Sequence, residues 1–315
     1  MRRGPGKKPS AIHQGFVGAR TLIGTPYLKD EKLRAQYVAE IAPRTAVMLN
    51  KILDQHLPRL RPRHVLDLGA GTGIVGATLR ERFEGVEVVA VDRVPSPGII
   101  AADLSRCVRP AGVVGRFDLI VAAHLLNEFT TMDGAARASL VLGWMRECLA
   151  PQGVLLLIEP ALKETSRALL QVRDHLLAAG AFVVAPCLWQ GPCPALQSPH
   201  DWCHDSAARP SLPRADFSFL VVASVGQKTE EPALFRIVSD LRREKGRSRI
   251  FGCGPQGRHP LVLQTRDISP NNEDFVSLDR GALCRVSGLG EAGDGLRLSQ
   301  QTQVQVVVGA QDDSS

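Results

Sequence analysis

No apolar run in the 315 residues approaches the ~18 that a membrane-spanning helix needs, so a simple span is excluded. The basic start, Met1-Arg2-Arg3-Gly4-Pro5-Gly6-Lys7-Lys8, is followed by no apolar core segment, which argues against a secretory signal. No Cys-x-x-Cys pair occurs among the seven cysteines, so a zinc ribbon is a poor reading of them. Without an export signal they point to a reducing, cytoplasmic setting, where thiols serve as metal ligands or core residues rather than disulfides. No internal repeat is visible. The net charge of +6 permits a nucleic-acid partner without requiring one. What is present is ordinary globular material, 44% apolar and long enough for a full α/β core with a smaller appendage.

The chain is organised around Val65-Leu66-Asp67-Leu68-Gly69-Ala70-Gly71-Thr72-Gly73. Val65 to Leu68 reads as a buried strand, the alternating glycines as a tight turn, and Ile74 toward Phe83 as a helix. That order brings backbone N–H groups and the positive end of a helix to one point, where something polar or anionic is held. Gly71-x-Gly73-x-x-Gly76 satisfies the dinucleotide fingerprint. Asp67 opposes that reading, because it would repel a pyrophosphate yet accept a hydrogen bond from an amino group. The stretch resembles the first motif of class I S-adenosylmethionine methyltransferases, whose cofactor carries a sulfonium and an amino-acid tail. Asp92 then ends Val88-Val89-Ala90-Val91-Asp92, about 20 residues on, where a carboxylate holds ribose hydroxyls. Asp103 stands where such enzymes often place an acid near the adenine amine. Asp67, Gly69, Gly71, Gly73, Asp92 and Asp103 are the candidate cofactor residues. The alternatives are a dinucleotide, or an empty sheet whose acids are solvated strand ends.

In chain order, residues 1–25 read as a mobile basic arm and 26–58 as N-terminal helices, split by Pro43. Residues 59–225 alternate strands and helices in the doubly wound order of an α/β class I methyltransferase fold, with an insertion at 187–213. Phe117 to Ala123 is a buried strand followed by His124-Leu125-Leu126-Asn127-Glu128-Phe129. Ligands of open parallel sheets sit beyond the carboxyl ends of strands, so Asn127 and Glu128 are the catalytic candidates, with location as the warrant. They could equally begin the next helix. The amine-methylating pattern Asn-Pro-Pro-Tyr is absent. Residues 226–310 read as a linker at Thr229-Glu230-Glu231-Pro232, a basic cluster (Arg236, Arg242, Arg243, Lys245, Arg247, Arg249) and a small β-rich domain. The cluster could neutralise backbone phosphates or be a solvated face.

Cys187, Cys193 and Cys203 fall within seventeen residues, and Cys253 follows between glycines. Their spacing, Cys-x5-Cys-x9-Cys-x49-Cys, leaves an iron–sulfur cluster and zinc both open, with His200, His204 or His259 as substitute zinc ligands. Pro186-Cys187 and Pro192-Cys193 call to mind the thiolate nucleophile of RNA cytosine-C5 methyltransferases, but those nucleophiles follow earlier strands.

Taken with Leu157-Ile158-Glu159-Pro160, Val184-Ala185-Pro186-Cys187, Gly191-Pro192-Cys193-Pro194, Asp201-Trp202-Cys203-His204 and Cys253, the methyl-donor motif resembles the methyltransferase-like family of small-ribosomal-subunit assembly factors found in mitochondria, with bacterial relatives. The resemblance runs from about Tyr27 to about Leu298. It implies a [4Fe-4S] cluster on Cys187, Cys193, Cys203 and Cys253, and leaves Cys107, Cys148 and Cys284 structural. It also implies S-adenosyl-L-methionine as cofactor, and small-subunit rRNA and the assembling small ribosomal subunit as partners. A monomer is expected. Methyl transfer to RNA is the favoured activity; a non-catalytic assembly or translation factor and a small-molecule methyltransferase are the alternatives.

Overall fold

The computed structural model describes residues 10–209, 212–226, 231–293 and 295–308. Residues 1–9 of the arm, 227–230 with the first half of the expected linker, and the tail at 309–315 lie outside the described residues. From Ser10 onward the expected mobile arm is instead folded. Ser10 caps a short helix, α1 (Ala11–His13), which runs into a π turn at Gln14–Gly18. Phe16 meets Tyr27 edge-on at 4.8 Å, and Tyr27 lies 5.9 Å from Tyr37, so this segment has its own aromatic anchor.

Asp30 caps α2 (Glu31–Glu40) by accepting from Leu33 N at 2.9 Å. Pro43 sits in the first turn of α3 (Ala42–His56), where its missing N–H costs no hydrogen bond. The doubly wound region follows as β1 (His64–Leu68), α4 (Ile74–Arg82), β2 (Glu87–Asp92), β3 (Ile99–Ala101), β4 (Phe117–Ala123), α5 (Gly134–Cys148), β5 (Leu149–Pro160), α6 (Lys163–Ala178) and β6 (Phe182–Ala185). The insertion ends in the hairpin β7 (Asp205–Arg209) and β8 (Leu212–Ala223).

These strands order as β3-β2-β1-β4-β5-β8-β6, with β7 on β8. The first five are parallel, and β8 runs antiparallel between β5 and β6. Side-chain alternation divides the core into two layers. Leu66, Leu68, Ile120 and Ala122 pack toward Val141, Trp144 and Met145 of α5 and Val172 of α6. Val65, Leu119, Val121 and Phe219 pack toward Leu49, Ile52 and Leu53 of α3 and Leu79 of α4. By the same alternation Asp67 points into the second layer, an acid among apolar side chains, 1% exposed.

The remaining strands are β9 (Leu234–Ile237), β10 (Arg242–Glu244), β11 (Arg247–Gly254), β12 (Gly257–Gln264), β13 (Leu283–Ser287), β14 (Gly290–Ala292), β15 (Gly295–Leu298) and β16 (Gln303–Val308). They form a second sheet, β14-β15-β12-β11-β9-β13-β16 with β10 on β11, around Phe235, Ile250, Leu261, Phe275 and Leu298. Three of these strands (β9, β10 and β14) have only three or four residues each and escape sequence reading. A buried charge cluster joins the two sheets. Asp205 at the head of β7 accepts from Arg236 of β9 and, at 3.1 Å, from Lys51 of α3. Arg236, expected in an RNA-facing cluster, is therefore committed to the interior. It is 5% exposed, because Asp205 supplies the counter-charge that permits its burial.

Candidate functional site

Strand order reverses between β1 and β4, and the glycine turn leaves β1 at that point. Gly69 and Gly71 take φ of +74° and +55°, a region that penalises every side chain, and a Cβ on Gly69 would also come 2.9 Å from Leu125 Cδ1. Asp92 fixes the turn from the neighbouring strand. One carboxylate oxygen accepts from Gly71 N and the other from Val94 N, both at 2.8 Å. The space beside the turn measures about 1180 Å3 including its open part, and Gly69, Gly71, Asp92, Asp103 and Glu128 all line it. Asp103 is at the rim, its carboxyl held below the usual range by the Ser105 hydroxyl at 2.6 Å and the Ser105 N–H at 3.0 Å.

Two of the expected cofactor residues stand back from this wall. Gly73 is the N-cap of α4, at φ +79° with open space around it. Asp67 lies beneath the turn, and neither carboxylate oxygen has a hydrogen-bond partner within normal geometry. Burial pushes its pKa up to about 7, and the nearby Gly76 N–H offsets this only in part. An acid held this way gains most from a cationic partner, and a group carrying an ammonium fits that need.

The far wall is built by residues that sequence reasoning gave no role. Gly24, Thr25, Pro26, Tyr27 and Leu28 cross the mouth of the pocket. Glu128 accepts from Gly24 N, and Arg93 donates to Gly24 O at 3.0 Å and to Thr25 O. Glu128 thus serves as a clasp, with burial raising its pKa despite the Gly24 N–H. His124 lines the same pocket at φ +58°, a strained value for a non-glycine residue at the end of β4. Its Nε2 lies 3.3 Å from Thr45 Oγ1, its buried Nδ1 has no partner, and burial pushes its pKa down to about 4, so the ring is neutral at pH 7. Because the chain turns at His124, Asn127 points away from Glu128. It lines a second cavity with Glu159, and its Nδ2 donates to His124 O at 2.8 Å.

The four named cysteines do converge. Cys187, Cys193, Cys203 and Cys253 line one pocket, beside Trp202, Arg236 and Arg258. Burial, then the neighbouring thiols Cys187 and Cys203, push Cys193 up to about 12 and raise Cys253 as well. Among the described residues no group of three or more His, Cys, Asp or Glu side chains is placed to hold a metal ion, so the thiols surround a gap without closing on one atom. Of the substitute zinc ligands, only His204 borders the site, in an adjoining pocket with Cys187 and Cys203. Helix α6 carries the residues that shape this region. Arg173, 1% exposed, donates to Cys187 Sγ at 3.2 Å and to Gly191 O at 2.8 Å. Arg167 gathers the carbonyls of Ala195, Ser198 and Asp201. Arg173 on the helix stripe of Leu169, Leu170 and Leu176, a cation among apolar positions three and four apart, was the available signal. Cys148 and Cys284 are packed in the two cores.

In the basic cluster, Arg242, Arg243 and Lys245 are exposed on the β10–β11 hairpin, whereas Arg247 and Arg249 pair with Glu244. No helix among the described residues is long and apolar enough to cross a membrane.

Comparison with known proteins adds a family. A malonyl-[acyl-carrier protein] O-methyltransferase of Dechloromonas aromatica (strain RCB) is 32% identical over 126 residues, 39% of this chain and 47% of that protein. The chain thus spans about half the length of the curated relative it matches. Among solved structures, the plantazolicin methyltransferase BpumL in complex with SAH covers 68% of this chain and 95% of its own, at 9% identity and a TM-score of 0.43. BamL, a plantazolicin methyltransferase with a triazolic desmethylPZN analog and SAH, covers 68% and 94% at 12% identity and a TM-score of 0.41. At these scores the fold assignment rests on the strand order described above. Residues 33–266, well over half of the chain, match the model described as mitochondrial small ribosomal subunit Rsm22, and the chain belongs to that family.

Proposed function

We propose that the chain holds S-adenosylmethionine in the glycine pocket and acts on the small ribosomal subunit during assembly, with methyl transfer to its rRNA as the reaction. The observation that carries this reading is the pocket at the strand-order reversal, walled by the glycine turn, Asp92 and Asp103. Membership of the Rsm22 family supports the ribosomal partner, and the exposed Arg242, Arg243 and Lys245 suit an RNA surface. S-adenosylmethionine, when bound, supplies an electrophilic methyl group on a cationic sulfur, open to in-line displacement. The residues orient and discriminate: Asp92 toward ribose hydroxyls, Asp103 toward an adenine amine, and Asp67 toward the ammonium, directly or through water. His124 sets a neutral imidazole at the pocket wall, held against Thr45.

Calorimetric titration with S-adenosylhomocysteine tests the pocket. Wild-type protein binds it, and Asp92→Ala weakens binding about tenfold or more, the worth of charge-assisted hydrogen bonds. Equal affinity in the variant, or no binding by wild type, would sink the assignment.

Cys187, Cys193, Cys203 and Cys253 are the proposed ligands of a [4Fe-4S] cluster. Support comes from their convergence on one pocket and from Arg173, which donates to Cys187 Sγ. The bound cluster would supply a cross-link between the insertion and β11 and a sensitivity to oxidants. Anaerobically purified protein should contain about four irons and four sulfides per chain, and Cys253→Ser should lose them while still binding S-adenosylhomocysteine. One zinc, or no metal, would overturn this part.

A non-catalytic assembly factor is the second reading. Glu128 is occupied as a clasp and Asn127 faces another cavity, which leaves neither expected catalytic residue free at the donor site. Intact cofactor binding without methyl transfer to rRNA from immature small subunits would favour it.

A further inference from the structure

The second cavity has a chemistry of its own. It measures about 270 Å3, at the small end of ligand sites, and Thr130 lines both it and the glycine pocket. Four side chains on its wall each keep one buried atom without a hydrogen-bond partner: Glu159 Oε2, Asn127 Oδ1, Arg137 Nε and Arg20 Nη1. Glu159 is 2% exposed and Asn127 7%. Buried polar atoms are nearly always paired, so a cluster of four unpaired ones marks a place made for something polar. Three of them commit another atom to the backbone. Glu159 Oε1 accepts from Leu126 N at 2.8 Å, Asn127 Nδ2 donates to His124 O at 2.8 Å, and Arg137 Nη2 donates to Phe129 O at 3.0 Å. Unpaired among these cavity-lining side chains are one carboxyl oxygen, one amide oxygen and two guanidinium nitrogens.

Burial keeps Glu159 in its acid form, with a pKa pushed up to about 8 that the Leu126 N–H, Asn127 and Arg137 lower only in part. Arg20 and the exposed Glu164 also line the cavity, and both act on Arg137. As an acid, Oε2 donates while Asn127 Oδ1 accepts. A donor beside an acceptor complements a planar edge carrying a ring nitrogen next to an exocyclic amine. We infer that this cavity receives one amino-bearing nucleotide of an RNA chain, cytosine or adenine, with Glu159 and Asn127 on the base edge and Arg20 and Arg137 on its phosphate. The inference rests on the glycine pocket being the methyl-donor site. In uracil and guanine the ring nitrogen donates and the exocyclic oxygen accepts. A base held in the same pose by its phosphate then sets a donor against the Glu159 acid and an acceptor against Asn127 Oδ1, whereas the exocyclic amine of cytosine or adenine pairs with Asn127.

Fluorescence anisotropy of the full chain, saturated with S-adenosylhomocysteine, tests this with uridine pentamers whose central base alone is varied. A central cytosine or adenine should bind about tenfold tighter than uracil, the worth of one bidentate base contact. Glu159→Leu and Asn127→Leu should abolish that preference. Glu159→Gln, which keeps a neutral donor, should retain it and, unlike wild type, keep it above pH 8. Equal binding of all four bases, or a preference unchanged in both leucine variants, overturns the inference. Cytidine 5′-monophosphate competing as strongly as the pentamer would overturn its RNA part. Separate titration with S-adenosylhomocysteine keeps the two readings apart: its failure in wild type removes the donor site and leaves the base test standing.

Discussion

Asp205→Ala is expected to cost about 3–5 kcal/mol of stability, the price of removing one partner from a buried ion pair. Asp205 is 1% exposed and receives Arg236 on one oxygen and Lys51 on the other. Without it, two cations and the imidazole of His56 share one interior site. His56 is already pushed down to about 3, first by burial and then by Arg236, and its Nε2 lies 3.2 Å from Arg236 Nη1. It cannot take over as a counter-charge. Burial alone would raise the Asp205 carboxyl, but Arg236 and Lys51 outweigh it and hold the pKa below the usual range. The ionised form is thus favoured in the fold, so its contribution is complete at neutral pH and is lost only as pH falls through that lowered value. Urea denaturation at pH 7 reads the loss, which corresponds to roughly 10 °C in Tm. A variant within 1 kcal/mol of wild type would show that the cluster is not holding the two sheets together. Pairing Asp205→Leu with Arg236→Met should recover much of the loss, because the desolvation cost goes with the charges.

Glu159→Gln is expected to act in the opposite direction. The unfolded chain ionises this group near pH ~4.3, whereas the folded protein holds the proton until about 8. Between those values the native state binds a proton that the unfolded state has released, so stability falls as pH rises and the fall is complete above pH 8. Asp67, held up to about 7, adds a loss of the same sign over a lower range. The amide removes the Glu159 contribution while keeping its shape. Near pH 5 the variant should therefore match wild type closely, and at pH 8.5 it should exceed it by on the order of 3–4 kcal/mol. Denaturation curves at the two pH values decide the matter. Parallel pH dependence in the two proteins would mean that Glu159 is already ionised at neutrality.

What the sequence made legible was local in origin. The Val65–Gly73 turn and the Asp92 strand end each follow from a few adjacent residues, and each is where the pattern puts it. Pro43 likewise divides the helices as expected. What stayed hidden depends on direction or on distant partners. Asn127 and Glu128 were correctly located beyond β4, but the left-handed residue His124 sends their side chains into different cavities. Arg236 looked like one more cation in a basic run, and only a partner 31 residues earlier makes it an interior residue. Glu159 entered only as part of the stretch Leu157-Ile158-Glu159-Pro160, since nothing adjacent in sequence reveals that its side chain is buried. Residues 24–28 carried no motif at all, yet they border the glycine pocket through two hydrogen-bonded clasps.

The joint between the two sheets also bears on how the chain is made. Lys51 and Asp205 are synthesised before Arg236, and Cys187, Cys193 and Cys203 before Cys253. A nascent chain that has released only the first sheet therefore exposes a carboxylate lacking its strongest cation and three thiols lacking their fourth. Both deficits end together, when β9 and β11 emerge and pair with each other in a two-residue ladder that sets Cys253 against Arg236. Translation thus delivers the charge partner first and the last thiol after it, and the pairing of β9 with β11 brings both to the joint.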